Sequence, residues 1–302
     1  MVSPRRSPRA RRFDGHALVA FAPVLPLLPG WLAAMWLSWW ILVRFAWTPF
    51  PLFAGAALAL GVLLFDRNVQ KFVLTRLLGA RRPTREEAAT LDAAWRRVTQ
   101  AVGTDPHRFV LAVFDSDELN AFASGGHLVV VSSYAIHNLS EDELVGVLAH
   151  ELCHHLGMHT VALTVAQWLA IPVIVLARIG LALQRVAEAA TDAFTRREGI
   201  PEMVGRLVAG ALTAVSWVFL AFLTLSRWTG NLVGKGSEFR ADEMVVAMGF
   251  GPQLRDALRA VRGNGDERGP RGWRERIVMS HPPARTRLAR IEADLRAVRR
   301  LR

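Results

Sequence analysis

Two histidines four residues apart with a glutamate beside the first, His150-Glu151-Leu152-Cys153-His154, are the residues of this chain best suited to chemistry. On a helix, residues i and i+4 lie one above the other, so both imidazoles can reach one Zn²⁺ at about 2 Å. Glu151 falls next to them, placed to hold and deprotonate a water on that metal. A hydrolytic zinc needs a third protein ligand and leaves its fourth position to water. His155 lies about 100° around the helix from His154 and points away. His159 nearly completes HExxHxxGxxH, with Gly157 in place, but the required position is Thr160. An ideal helix carries His159 about 180° from His150, out of reach. Glu238 remains, within Glu238-Phe239-Arg240-Ala241-Asp242. Acids four apart share a face, so Glu238 can bind metal while Asp242 accepts a hydrogen bond from a ligating histidine. The same two acids fit a solvated helix face equally well, and spacing alone leaves both readings open.

The histidine pair requires a helix, and the sequence supplies one. Ser140 with Glu143 three residues later forms a capping box, and Leu144, Val147 and Leu148 give that helix a buried face. Arg85 to Val102 has helical periodicity (Ala88, Leu91, Trp95, Val98), as does Arg285 to Arg300 (Leu288, Ile291, Leu295, Val298). Phe109 to Phe114 and Leu128 to Ser132 are strand-like, with Gly125-Gly126 supplying a turn between them. Residues 262–272 are rich in Gly and charge and suit a flexible loop.

Four long uncharged runs flank these elements. Ala17–Val43 is 27 residues, Phe45–Phe65 is 21, Thr160–Ala177 extends past Arg178 to Leu183, and Leu207–Ser226 is 20. About 20 apolar residues cross a bilayer core. Pro23, Pro26 and Pro29 predict a first regular helix that starts near Gly30 or is broken before it, and Thr48-Pro49-Phe50-Pro51 predicts a hairpin turn. The first run exceeds the roughly 7–15 apolar residues of a signal-peptide core, so it reads as a retained anchor. Trp31, Trp36, Trp39, Trp40 and Trp47 suit an interfacial belt.

Charge orients the runs. Of 302 residues 52% are apolar, mean hydropathy is +0.23, and Lys+Arg exceed Asp+Glu by 37 to 26. Such apolar content excludes intrinsic disorder, and Cys153, the single cysteine, excludes a disulfide scaffold. Five Arg crowd residues 1–15 and fourteen crowd 252–302, whereas 185–206 carries four Arg and four acids. By the positive-inside rule both termini are cytoplasmic, and a nucleic-acid partner is not needed to explain the charge. The expected division is an Arg-rich tail (1–16), a transmembrane hairpin (17–65), a first soluble segment with the HExxH helix (66–159), a third span (160–184), a non-cytoplasmic loop (185–206), a fourth span (207–226) and a second soluble segment with the third candidate ligand (227–302). Two crossings separate His154 from Glu238, which returns the acid to the histidines' side.

Together with Asn120-Ala121-Phe122-Ala123-Ser124-Gly125-Gly126 and Ser280-His281-Pro282-Pro283, the two motifs fall in an order that resembles the HtpX-like integral-membrane zinc metallopeptidases. These gluzincins share a family with the type 1 CaaX prenyl proteases, and the resemblance covers roughly residues 85–295. It implies a mainly α membrane protein of about four transmembrane helices, with a zincin-type α+β protease domain carrying a small sheet. It also implies one Zn²⁺ per chain on His150, His154 and Glu238, with Glu151 as general base. The implied activity is a multi-pass cell-membrane endopeptidase, its active site facing the cytoplasm, acting on membrane or unfolded proteins in quality control. A CaaX-type processing peptidase and a catalytically silent scaffold are the alternatives. Asn120, at a strand edge beside the cleft, is suited to hydrogen-bond an extended substrate, and His281 to donate to the oxyanion. Arg285 reads as structural and Cys153 as a packed thiol.

Overall fold

The computed structural model describes residues 19–42, 48–194, 200–263 and 284–300. The basic tail, His281 and most of the 262–272 loop lie outside them. Two compact units emerge, one built from Val62–Thr164 and Leu232–Arg302, the other from Phe21–Gly61 and Val165–Asn231.

The second unit is helical. After a 3-10 turn at Ala22–Val24, helix α1 runs Leu27–Leu42 and α2 runs Phe50–Val62. Helix α1 begins ahead of the position that Pro29 suggested, because a proline in the first turn removes no hydrogen bond the helix uses. The long helices α6 (His159–Phe194) and α7 (Ile200–Ala247) complete it with Val165–Phe194 and Ile200–Asn231, their remaining ends belonging to the first unit. Val24, Leu27, Trp31, Ala34, Leu169, Val173 and Phe219 pack as its core. Trp31 is therefore an inward residue, while Trp36 and Trp40 face out. Gly61 lets α2 close on Trp168, whose indole N–H donates to the Ala57 carbonyl at 3.1 Å. Outward positions stay apolar (Leu32, Leu58, Leu60, Ile171, Val175, Val215, Trp217), as lipid contact requires. Among the described residues three stretches are long and apolar enough to cross a membrane: Ala22–Leu42, His159–Val186 and Met203–Ala247. Phe50–Phe65 with Arg67–Leu77 makes a fourth if a 69° bend belongs to one span.

The first unit surrounds a small mixed sheet. Helix α3 spans Arg85–Val102, opening on a Thr84–Glu87 capping box. Strands β1 (Val110–Phe114), β2 (Ala121–Ser124) and β3 (Leu128–Ser132) lie in the order β1-β3-β2, with β3 parallel to β1 and antiparallel to β2. Gly125 (φ 61°) and Gly126 therefore turn β2 into β3, and do not join β1 to β3 directly. Parallel neighbours cannot be closed by a tight turn, and β2 occupies the connection. A short helix α4 (Ser133–Asn138) leads to α5 (Glu141–Leu156), and α8 (Gly251–Gly263) and α9 (Ala284–Arg300) complete the unit. Leu91, Trp95, Val129, Val131, Leu144, Leu148, Leu152, Val245, Leu254 and Ile291 form one core around α5. Burying this apolar surface is what fixes the helix that carries His150 and His154 in place.

Candidate metal centre

Helix α5 is held by both of its ends and by its faces. The Ser140 hydroxyl accepts from the Glu143 amide, and the Glu143 carboxylate accepts from the Ser140 amide at 2.8 Å. Every residue from Leu144 to His154 is buried. The spacing argument for His150 and His154 holds in detail: their Nε2 atoms stand 3.1 Å apart.

Helix α7 delivers Glu238 to the same point. Its Oε1 lies 3.1 Å from His154 Nε2 and its Oε2 3.3 Å from His150 Nε2. Metal–ligand bonds of about 2.0–2.1 Å in a tetrahedron place donor atoms about 3.3 Å apart. The two imidazole nitrogens, 3.1 Å apart, and a carboxylate that sets one oxygen 3.1–3.3 Å from each of them are near that spacing, and one ligand atom from each residue can be chosen with all three within 4.8 Å of one another. All three residues are buried, and they are the group of metal-binding side chains found among the described residues. Glu151, 2% exposed, directs an Oε2 that has no hydrogen-bond partner among the described residues. A buried carboxylate oxygen is costly to leave bare, so it marks the place of a further polar group.

A second ring of contacts stands behind the donors. Asp242 Oδ1 lies 3.0 Å from His150 Nδ1, the arrangement expected from the i,i+4 spacing. Sequence reasoning missed Arg287. Its Nε donates to Asp242 Oδ2 at 3.0 Å and its Nη2 to Oδ1 at 2.7 Å, while Nη1 lies 3.6 Å from Glu238 Oε2. Arg287 is one turn before Ile291 on the buried stripe of α9, and an arginine in that stripe was the signal available. Burial and the Arg287 charge oppose protonation of His150, but Asp242 and Glu238 outweigh them and hold it up at about 9. Three buried carboxylates (Glu151, Glu238, Asp242) face one buried guanidinium. A divalent ion is the natural balance for the set.

The neighbouring residues sort as follows. His155 points away as expected: Nε2 donates to the Leu128 carbonyl at 3.1 Å, tying α5 to β3, and burial pushes its pKa down to about 3. Cys153 is buried and burial pushes its thiol up, so it is inert packing. Asn120 precedes β2, an outer strand against which α5 packs, and its backbone exchanges hydrogen bonds with Ser132. The ideal-helix placement of His159 does not hold. Helix α5 ends at Leu156, and the ring centroid of His159 lies 5.6 Å from that of His154.

The family model for peptidase family M48 matches residues 85–295. Protease HtpX of Aliivibrio salmonicida is 29% identical over 198 residues, covering 59% of this chain and 64% of that relative. Protease HtpX of Nitrosococcus oceani is 29% identical over 246 residues, covering 76% of this chain and 81% of the relative. The crystal structure of S. mikatae Ste24p aligns at a TM-score of 0.48 and 17% identity, over 91% of this chain and 63% of that one.

Proposed function

The chain belongs to peptidase family M48, as an HtpX-like metallopeptidase, and from that premise we propose a membrane-embedded zinc endopeptidase that cleaves membrane or unfolded proteins in quality control. One observation carries the reading: three buried side chains able to hold one metal ion stand beside a buried carboxylate whose Oε2 has no hydrogen-bond partner among the described residues. His150, His154 and Glu238 would hold the metal. Zinc, when bound, supplies a Lewis acid that polarises the scissile carbonyl. Glu151 accepts the proton of the attacking water and passes it to the amine nitrogen of the leaving strand. Asp242 keeps the His150 proton on Nδ1, freeing Nε2 as a donor, and Arg287 keeps Asp242 ionised. The outer edge of β2 suits an extended substrate added as a further strand, with Asn120 at its start. The arginine asymmetry supports a cytoplasmic active site.

Purified wild-type protein is expected to carry one zinc per chain and cleave an unfolded protein such as casein. Glu151→Gln is expected to keep the zinc and the fold and lose cleavage. Substantial residual cleavage removes Glu151 from its role, and a wild type that binds no zinc leaves a silent scaffold.

A further inference from the structure

Met158 is the one non-glycine residue with positive φ (60°) among the described residues. Such a conformation is strained for a residue with a long side chain and persists where surrounding contacts impose it. It falls between Gly157, which caps α5, and His159, which begins α6. An unbroken helix would throw His159 to the far side of α5. The break at Gly157–Met158 instead returns its ring to His154, with ring planes inclined at 36°. On its other side, His159 Nε2 lies 3.3 Å from the Ser237 hydroxyl. That hydroxyl donates its hydrogen to the Gly234 carbonyl at 2.9 Å, so its oxygen is free to accept from His159. Ser237 immediately precedes Glu238.

Resting on the zinc reading above, we infer that His159 is a positioning residue for the metal centre. It lies against the ring of one ligand and hydrogen-bonds the residue beside another. One imidazole, donating from Nε2, thereby sets the distance between His154 on α5 and Glu238 on α7. This explains why the chain tolerates a strained Met158: the strained turn is the means by which a residue five positions beyond His154 comes back to its ring. Contacts that orient metal ligands without touching the metal contribute 10–100-fold to affinity or activity.

The test uses the full-length protein in detergent and two metals, zinc for affinity by chelator competition and cobalt for its ligand-field spectrum. His159→Phe keeps a ring of similar size but cannot donate; Ser237→Ala removes the acceptor. Each is expected to take up one metal per chain at saturation, to bind zinc about 10–100-fold more weakly, and to shift the cobalt bands. The double variant is expected to be no weaker than the weaker single, because both changes remove the same contact. Wild-type affinity and cobalt bands in His159→Phe overturn the inference, whatever its melting temperature. Should His159→Phe fail to fold, unchanged affinity and bands in Ser237→Ala overturn it alone. A wild type that takes up no zinc fails the zinc reading and this inference with it; loaded wild type with unaffected variants fails only this inference.

Discussion

Arg287 is 5% exposed and its guanidinium is spent on Asp242, with Glu238 alongside. Removing one partner of a buried ion pair strands the other charge, which typically costs about 3–5 kcal/mol. Arg287→Met is therefore expected to destabilise the first unit by about that much and to loosen zinc. Thermal melts and zinc content of the variant check this, and a stable, fully loaded Arg287→Met would refute it. The donors themselves give a graded series. Glu238→Ala is expected to be nearly metal-free and Asp242→Ala partly loaded, because the first removes a donor atom and the second only the group that orients His150. A fully loaded Glu238→Ala would remove that residue from the ligand set. The reasons for what was legible differ at each residue. The histidine spacing and the Glu238–Asp242 pair are helix arithmetic, which sequence carries directly. Arg287 answers an acid pair 45 positions earlier, and nothing local to it names that partner. His159 was misplaced because periodicity assumes one helix, and a single positive φ at Met158 ends it.

Among the elements, α3 is the clearest case of local signals agreeing with the fold: Arg85–Val102 starts on a capping box and ends on Gly103 at φ 66°. Glu87 does more than cap. It is 3% exposed and accepts from Arg81 Nη1 at 2.7 Å and Nη2 at 2.8 Å. Those hydrogen bonds outweigh its burial and hold its carboxyl at about 2, against an ordinary 4.5. A carboxylate with a depressed folded pKa contributes stability above the unfolded value and loses it as pH falls toward the folded one. The gap in melting temperature between wild type and Glu87→Gln should thus be full at pH 7 and shrink from about pH 4.5 toward pH 2. A gap that stays constant across that range would contradict it. Helix α5 depends on a closer approach. A Cβ on Gly146 would collide with the backbone of Gln253 and Leu254, so α5 and α8 touch main chain to main chain. Gly146→Ala is expected to cost about 1–3 kcal/mol and to lower zinc occupancy, measured by thermal melts and metal content. A helical glycine announces a close neighbour without saying which, so this crossing was not readable from sequence. The sheet shows the same limit: β1 and β3 were recognisable from Val and Phe content, but the pairing of β3 with both β1 and β2 was not.

At the scale of the molecule, hydropathy located the apolar runs, while α6 and α7, which contain the last two, run further. Helix α7 has 48 residues and includes Glu238 and Asp242 beyond the apolar run that precedes them. The end of a run in sequence marks where charge begins, not where a helix stops. The proposed topology has a direct test: tags at the N-terminus, near residue 270 and at the C-terminus should resist protease added to intact cells, and a tag near residue 195 should be cleaved. A protected residue 195 would make the last two runs re-entrant or core helices. The centre gathers residues from three places along the chain, and synthesis reaches them in order. His150 and His154 emerge first, Glu238 after both intervening apolar runs, and Arg287 last. At about 5–20 residues per second, the interval between the first histidine and the arginine is on the order of ten seconds. A half-made chain therefore holds Glu151 and the two histidines but no complete site, and the centre can close only once residue 287 has been made.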